Sequence, residues 1–332
     1  MRELRRDPVV NRWVIISSER AGRPMDAFHV APENPEAYCP FCEGVESATP
    51  PELFALRPQG MAPNGPGWSL RVVPNKFPAL GDPGAHMPST DGLYEKMDGV
   101  GRHEVIIETP GHGQALADMP LARAIDIFHT LQGRLLAMRE DPALACAQYF
   151  KNHGRESGAS LSHSHSQLIA MPVVSRTLGE ELSGAAAWRI RNGECVYCHI
   201  LRHEKNGGGR LIAIEGNMAV LSPFASRFPY EAMIMPVEHS CRFEDSTPEL
   251  IGAFTALLLK TLSTLNALFD NPPYNLVLHS APFSNGHEES YHWHMEVIPV
   301  MARAAGFEWG SGFHINSIPP EKAATRMREA MR

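Results

Sequence analysis

The residues best suited to carry out chemistry are two histidines and a glutamine in segment 157–167, SGASLSHSHSQ. His163, His165 and Gln167 alternate, so an extended strand would present all three on one face. Imidazole can act as a nucleophile or a metal ligand, and a carboxamide can donate to a phosphate oxygen without adding charge. The small residues around Gly158 would let backbone N–H groups approach an anion closely. The pattern indicates a phosphate-handling site, with a solvated histidine-rich loop as the alternative.

A second copy of this alternation argues against the solvated loop. His292, His294 and Glu296 repeat the spacing in segment 291–296, YHWHME. Each copy leads into a short apolar stretch that ends in proline. Each is also preceded by a Cys-x-x-Cys pair, at Cys39/Cys42 and Cys195/Cys198. Because two such ordered recurrences are improbable by chance, the chain is predicted to consist of two related halves.

Composition limits the class of protein. A chain of 332 residues with 43% hydrophobic and 20% charged residues can form a sizeable core. The net charge of −7 argues against a general nucleic-acid surface. The N-terminal segment leads into no apolar h-region, and no run of 18 apolar residues occurs. We therefore expect no secretion, no membrane span and a cytoplasmic location.

The six cysteines favour metal binding over disulfides, because four of them form the two pairs in a chain without an export signal. A redox role is the weaker alternative, since neither pair lies at a thioredoxin-like helix start.

The hydrophobic periodicity of the two halves is similar. The first half predicts strands, one helix and a further strand, at residues 13–17, 70–74, 104–108, 121–138 and 147–150. The second half repeats this order, at residues 210–214, 218–221, 232–235, 250–268 and 274–278. This predicts an α+β fold of two tandem half-units, residues 1–180 and 181–332, which could share one sheet or pair across a dyad.

The motif resembles that of a known family. Gly158-Ala159-Ser160 followed by His163-Ser-His165-Ser-Gln167 is similar to the active-site motif of galactose-1-phosphate uridylyltransferases. Those enzymes belong to the histidine-triad superfamily, and their subunit contains two such folds. Further similar segments occur in order at residues 7–24, 71–78, 101–107, 149–152 and 278–283. The variant His-Ser-His-Ser-Gln and the second cysteine pair also resemble the ADP-glucose phosphorylase branch, which transfers adenylyl groups.

The resemblance implies covalent catalysis at His165. Its imidazole would attack the α-phosphorus of a nucleotide sugar and release a sugar 1-phosphate, and a second sugar 1-phosphate would then accept the nucleotide. Gln167, Ser160 and the backbone N–H groups of Gly158 and Ala159 would spread charge on the phosphoryl oxygens. The predicted charge partners and nucleotide or phosphate contacts are Arg20, Arg23, Lys151, Asn75, Lys76 and Asn152.

Two metal sites follow from the cysteines and histidines. The first ligand set is predicted as Cys39, Cys42, His103 and His163, a closed structural zinc site that would hold the strand of His165. The favoured second set is Cys195, Cys198, His239 and His292. The family resemblance offers an alternative second set of Glu181, His279, His292 and His294. We expect one to two zinc ions per chain.

Three functions remain open. The leading hypothesis is transfer of UMP between UDP-glucose and a hexose 1-phosphate, with galactose 1-phosphate as the favoured acceptor. The alternatives are an adenylyl-transferring ADP-glucose phosphorylase or dinucleotide hydrolase, and a non-catalytic zinc-binding protein. The second motif is expected to be structural or a metal site, because a carboxylate at Glu296 would repel a phosphate. The resemblance also implies a homodimer whose sites borrow residues across the interface.

Overall fold

The computed structural model describes residues 2–22, 38–81 and 89–331. Its strands are β1 (Arg2–Arg6), β2 (Trp13–Ser17), β3 (Phe54–Leu56), β4 (Leu70–Pro74), β5 (Ser89–Asp91), β6 (Tyr94–Lys96), β7 (Arg102–Ile107), β8 (Cys146–His153), β9 (His165–Met171), β10 (Leu211–Glu215), β11 (Met218–Leu221), β12 (Ala232–Pro236), β13 (Tyr274–His279), β14 (His294–Pro299) and β15 (His314–Asn316). Its α-helices are α1 (Leu121–Arg139), α2 (Arg176–Asn192), α3 (Val196–His203), α4 (Pro248–Phe269), α5 (Gly306–Ser311) and α6 (Pro320–Ala330).

One ten-stranded sheet carries both halves of the chain. Its order is β10-β11-β12-β14-β13-β8-β9-β7-β4-β3, and its named strand pairs are antiparallel. Read outward from the central β8–β13 pair, the two halves have equivalent orders: β8-β9-β7-β4-β3 and β13-β14-β12-β11-β10. The two histidine motifs lead into β9 and β14, which are equivalent strands. The prediction of an α+β fold from two half-units is confirmed, and the halves share one sheet.

The main core lies between this sheet and the two long helices that the periodicity predicted. Phe128 of α1 packs edge-on against Phe254 of α4, with ring centroids 5.0 Å apart. Buried side chains of both helices join buried strand residues such as Tyr149 and Leu168 in one cluster. Thr247 caps α4, accepting a hydrogen bond from the N–H of Leu250 at 3.3 Å. These contacts make each half a sheet with one packed helix.

Within the described residues, α4 is the one helix long and apolar enough to cross a membrane by length and composition. Half of its most apolar window is buried inside the protein. A core helix of a globular protein has the same composition, and the packing of α4 against α1 is of that kind.

The opposite face of the second half is covered by α2 and α3, which the sequence analysis did not predict. Leu178, Leu182 and Ala185 are buried along α2, and Ser175 caps its start. This spacing is helical, so the signal was present but short. The expected division between residues 180 and 181 lies inside α2 and stays a proposal about repeat units.

A separate three-stranded sheet, β1-β2-β15, joins the two ends of the chain.

Candidate active site and metal centres

The strand β9 and the residues just before it present the first histidine motif. Val105 of β7 and Phe150 of β8 both lie opposite Gln167 in the ladder, so strands flank the motif on each side. The ring of Phe41 lies against both histidines, 6.1 Å from the centroid of His163 and 5.2 Å from that of His165. Both imidazoles therefore share one face, as the alternation predicts.

His165 is held with one ring nitrogen that has no hydrogen-bond partner among the described residues. Its side chain is buried, and its Nδ1 lies 2.7 Å from the backbone oxygen of His163. A carbonyl oxygen only accepts, so Nδ1 carries the hydrogen and Nε2 keeps a lone pair. Burial lowers the pKa of His165, which favours the neutral ring. The geometry is that of a nitrogen nucleophile.

Gln167 is bonded to His103 and Asn75. His103 Nε2 lies 2.8 Å from Gln167 Oε1, and Asn75 Nδ2 lies 3.4 Å from the same oxygen. Asn75 is thus in the site, as expected.

The placement of His103 among the metal ligands was wrong: it lies near the start of β7, whereas the cysteines lie beyond the other end of that strand. At a rise of about 3.3 Å per residue, the five steps from Arg102 to Ile107 separate those two ends by about 17 Å.

The first candidate metal centre is formed by Cys39, Cys42, His112 and His163, whose ligand atoms lie within 4.8 Å of one another. The Nδ1 atoms of both imidazoles face Cys42 Sγ at 3.5 Å. His163 Nε2 donates to the backbone oxygen of Thr109 at 2.7 Å, which leaves Nδ1 available to a metal. Two thiols and two imidazoles are a donor set that suits a closed tetrahedral zinc site.

Burial and the neighbouring thiol determine the protonation state of Cys42 in this centre. Burial and the neighbouring Cys39 raise the pKa of Cys42 to about 11. Without a metal the Cys42 thiol is therefore protonated at neutral pH, and a metal ion would have to displace its proton.

The second candidate centre has the predicted ligands, Cys195, Cys198, His239 and His292, again within 4.8 Å of one another. Cys198 Sγ lies 3.4 Å from Nδ1 of His239 and 3.5 Å from Nδ1 of His292. His239 Nε2 lies 2.6 Å from the backbone oxygen of Glu288, which orients its ring as Thr109 orients His163. The two centres are therefore equivalent in donor type and in ring nitrogen.

The alternative second set forms a separate buried group. Glu181, His279 and His294 lie together, while His292 belongs to the cysteine group. His279 contacts Glu181 at 3.1 Å and Glu296 at 3.3 Å. Burial alone would lower the pKa of His279, but those two carboxylates outweigh it and raise the pKa to about 10.

Glu296 is neutralised within the protein. Arg227 lies 2.6 Å from its carboxylate and 2.7 Å from that of Glu231. The second motif thus faces an internal ion network where the first presents Gln167. The structural role of the second copy stays a proposal.

Lys151, predicted as a phosphate partner, lies beneath the motif. Its side chain is 2% exposed, and Nζ lies 2.7 Å from Glu108 Oε2, 3.0 Å from Ser164 Oγ and 3.1 Å from the backbone oxygen of His165. Burial would raise the pKa of Glu108, but the Lys151 charge outweighs it and lowers that pKa. The reason is the strand period: Lys151 shares the core-facing side of β8 with Tyr149. The assignment to phosphate binding is corrected to support of β9.

The glycine segment approaches the site through Asn152. A Cβ placed on Gly158 would lie 3.5 Å from Asn152 Nδ2, and the φ of Gly158 is +94°, which favours glycine. Ala159 closes this turn with a hydrogen bond from its N–H to the Gly154 oxygen at 3.2 Å, and Ser160 is exposed beside it. These predicted contacts lie in one segment.

The remaining predicted contacts lie apart. Lys76 is exposed, and its Nζ donates to the backbone oxygen of Ala48 at 3.2 Å. Arg20 is exposed in a short 3-10 helix, Ser18–Gly22. Arg23 lies outside the described residues.

His112, a member of the first candidate metal centre, was missed by the sequence analysis. Its only local signal was its position shortly after a strand.

Comparisons with known proteins identify the family. Residues 1–175 match the profile of the N-terminal domain of galactose-1-phosphate uridyl transferase. The chain is 35% identical over 339 residues to ADP-glucose phosphorylase of Arabidopsis thaliana, covering 98% of this chain and 92% of that protein. It is 28% identical over 338 residues to galactose-1-phosphate uridylyltransferase of Thermotoga maritima, covering 99% and 98%.

A solved structure agrees with the sequence comparisons. The crystal structure of an ADP-glucose phosphorylase from Arabidopsis thaliana with bound ADP-glucose superposes with a TM-score of 0.84 at 32% identity, covering 99% of this chain and 98% of that one. Both the matched profile and the relatives span the histidine motif at the start of β9. This chain therefore belongs to the galactose-1-phosphate uridylyltransferase family.

Proposed function

We propose that this protein transfers a nucleoside monophosphate from a nucleotide sugar to a phosphate-bearing acceptor through His165. The observation that carries the proposal is the state of His165, a buried imidazole whose Nδ1–H is bonded to a carbonyl and whose Nε2 lone pair has no partner in the described part of the chain. Such a ring is a competent nucleophile at neutral pH.

The transfer has two steps. Nε2 of His165 attacks the α-phosphorus, an N–P bond forms, and the P–O bond to the sugar phosphate breaks with its electron pair leaving on sugar 1-phosphate. The Nδ1–H bond to the His163 oxygen stabilises the positive ring. An oxygen of the acceptor phosphate then attacks the same phosphorus, and the N–P bond breaks to restore neutral His165. The leaving group is already an anion, so little general-acid assistance is required.

Charge on the phosphoryl oxygens would be met locally, because the net charge of the chain is −7. Gln167 can donate from its amide. The N–H groups of Gly158 and Ala159 are bonded to the oxygens of Arg155 and Gly154, so in the proposal this segment lies against the phosphate without donating those hydrogens. Arg20, Arg23 and Ser160 are kept in the proposal as further phosphate contacts. The proposal includes a homodimer, which would allow exposed residues such as Arg20 to complete a neighbouring site.

Zinc fits the two cysteine–histidine groups, and its role here would be structural. One ion would be held by Cys39, Cys42, His112 and His163. A zinc ion there would fix the position of His163, two residues before the nucleophile. A reducing compartment such as the cytoplasm is consistent with this, because all six cysteines are free thiols.

Two donors are supported by different relatives. Similarity to galactose-1-phosphate uridylyltransferase supports UDP-glucose with galactose 1-phosphate as the acceptor. Similarity to ADP-glucose phosphorylase supports ADP-glucose, with inorganic phosphate as the acceptor of a phosphorylase. In this proposal both reactions use His165 as the nucleophile. The identity of the nucleotide-sugar donor therefore distinguishes them.

The test is to trap the covalent intermediate. The purified protein is incubated with UDP-glucose or ADP-glucose labelled at the α-phosphate, denatured in alkali, which preserves N–P bonds, and examined for label on the protein. Trapped uridylyl label that galactose 1-phosphate discharges supports the first reaction. Trapped adenylyl label that inorganic phosphate discharges supports the second. No label with either donor from zinc-loaded protein would overturn the proposal and favour a non-catalytic zinc-binding protein.

A further inference from the structure

We propose that His103 is a positioning residue that fixes the orientation of the Gln167 carboxamide, so that its NH2 group faces the phosphate. This inference rests on the proposed function. Its evidence is a set of hydrogen bonds around Asn75, His103 and Gln167 that allows one arrangement of hydrogens.

The backbone fixes the tautomer of His103. The N–H of Ala79 lies 3.2 Å from His103 Nδ1. A backbone N–H only donates, so Nδ1 must hold a lone pair and the ring hydrogen must sit on Nε2. His103 Nε2 is therefore a donor, and its neighbour at 2.8 Å, Oε1 of Gln167, accepts from it.

A second donor points at the same oxygen. The N–H of Phe77 lies 2.9 Å from Asn75 Oδ1, which fixes the Asn75 amide with Nδ2 toward Gln167. Nδ2 of Asn75 and Nε2 of His103 lie 3.1 Å apart, both converging on Gln167 Oε1. Two N–H groups satisfy both lone pairs of that oxygen.

The flipped carboxamide is excluded by the same contacts. Turning Gln167 over would aim its NH2 at two further N–H donors. With Oε1 held by His103 and Asn75, the NH2 group must point away from them, where it can donate to a phosphoryl oxygen. A freely flipping carboxamide would at times present its oxygen to the phosphate, which is repulsive.

Two substitutions separate this role from a packing role. His103→Phe keeps a flat ring and removes the N–H donor, whereas His103→Gln keeps a donor on a flexible side chain. We expect His103→Phe to slow formation of the nucleotidyl-enzyme about 10- to 100-fold in single turnover, with little change in donor affinity, because the amide would act mainly on the transition state. His103→Gln should recover part of the rate. Both variants should keep the wild-type metal content.

A double-mutant cycle decides the mechanism. If His103 acts through Gln167, His103→Phe should cause no further loss in a Gln167→Ala background. A full additional loss in that background would overturn the proposal, as would the loss of one metal equivalent in His103→Phe.

The tautomer can be checked without activity. Nitrogen-15 correlation spectra of histidine-labelled protein should show the His103 hydrogen on Nε2. A hydrogen on Nδ1 would overturn the positioning role. If instead no nucleotidyl-enzyme forms with either labelled donor while the Nε2–H tautomer is observed, the proposed function fails and the arrangement of His103 and Gln167 stands.

Discussion

His163, just before β9, and His165, at its start, are held as opposite tautomers, and this difference separates their roles. His163 donates its Nε2–H to the Thr109 oxygen, so its Nδ1 keeps a lone pair and faces the cysteines. His165 donates its Nδ1–H to the His163 oxygen, which leaves a lone pair on Nε2. The backbone carbonyl that each ring meets therefore decides whether the ring is suited to bind a metal or to attack phosphorus.

Replacing His165 tests the nucleophile. We expect His165→Ala to reduce transfer by about 10³-fold or more, because the nucleotidyl-enzyme at His165 cannot form without this imidazole. Metal content and thermal midpoint should remain close to wild type. The matched control is His203→Ala, an exposed histidine at the end of α3, which should keep full activity. Near-normal turnover by His165→Gly without added imidazole would contradict covalent catalysis at this residue.

Replacing Gln167 tests which atom faces the phosphate. Gln167→Ala should slow nucleotidylation about 100-fold, by the loss of one donor. Gln167→Glu should be slower still, because a carboxylate can keep the bonds from His103 and Asn75 while its other oxygen repels the phosphate. Single-turnover rates measure both. Equal rates in the two variants would mean that Gln167 does not contact the phosphate.

Among the elements, β9 is fixed from both of its faces. On the core side, Lys151 bonds Glu108, Ser164 and the His165 carbonyl. On the other side, His163 joins the cysteine group. The position of His165 is thus set by two independent sets of contacts, one ionic and one suited to a metal.

Breaking the buried ion pair should destabilise the protein. Lys151→Met leaves Glu108 buried without a counter-charge, which should lower the free energy of unfolding by about 3–5 kcal/mol. Urea denaturation measures this, with the exposed Lys322→Met as the control. Glu108→Gln combined with Lys151→Met should recover much of the loss, since no charge remains buried. An unchanged unfolding midpoint for Lys151→Met alone would show that the pair does not support β9.

At the scale of the whole molecule, the two equivalent halves have diverged. Both keep a cysteine–histidine group in which imidazole Nδ1 atoms face a cysteine sulfur. The first half pairs its motif with Gln167, whereas the second places Glu296 in an ion network with Arg227. One half would therefore carry the chemistry and the other would support it.

Elemental analysis tests both centres. We expect up to two zinc ions per chain. Cys39→Ser with Cys42→Ser should remove one equivalent, lower the melting temperature and reduce activity, because His163 would no longer anchor the strand. Cys195→Ser with Cys198→Ser should remove the other with less effect on activity. His112→Ala should lose the first equivalent and His103→Ala should not. Wild-type protein without stoichiometric metal would contradict both sites.

The sequence by itself determined what depends on local period and order. The strand period put His163, His165 and Gln167 on one face, and the helical period located α1 and α4 to within a few residues. The recurrence of the motifs indicated two related halves, and the complete second ligand set was predicted from residue types alone. These features are encoded in neighbouring residues, so no knowledge of distant contacts was needed.

Only the tertiary structure decided which distant residues meet. His103 lies near the start of β7 and His112 lies beyond its far end. Both are imidazoles, so the position along the strand, and not residue type, determines which one reaches the cysteines. Lys151 could have faced phosphate or core, and its alternation with Tyr149 on β8 placed it in the core. The pairing of β8 with β13, which merges the halves into one sheet, depends on contacts between residues far apart in the chain. Strand order and register set these distances, and neither is written in any local pattern of the sequence.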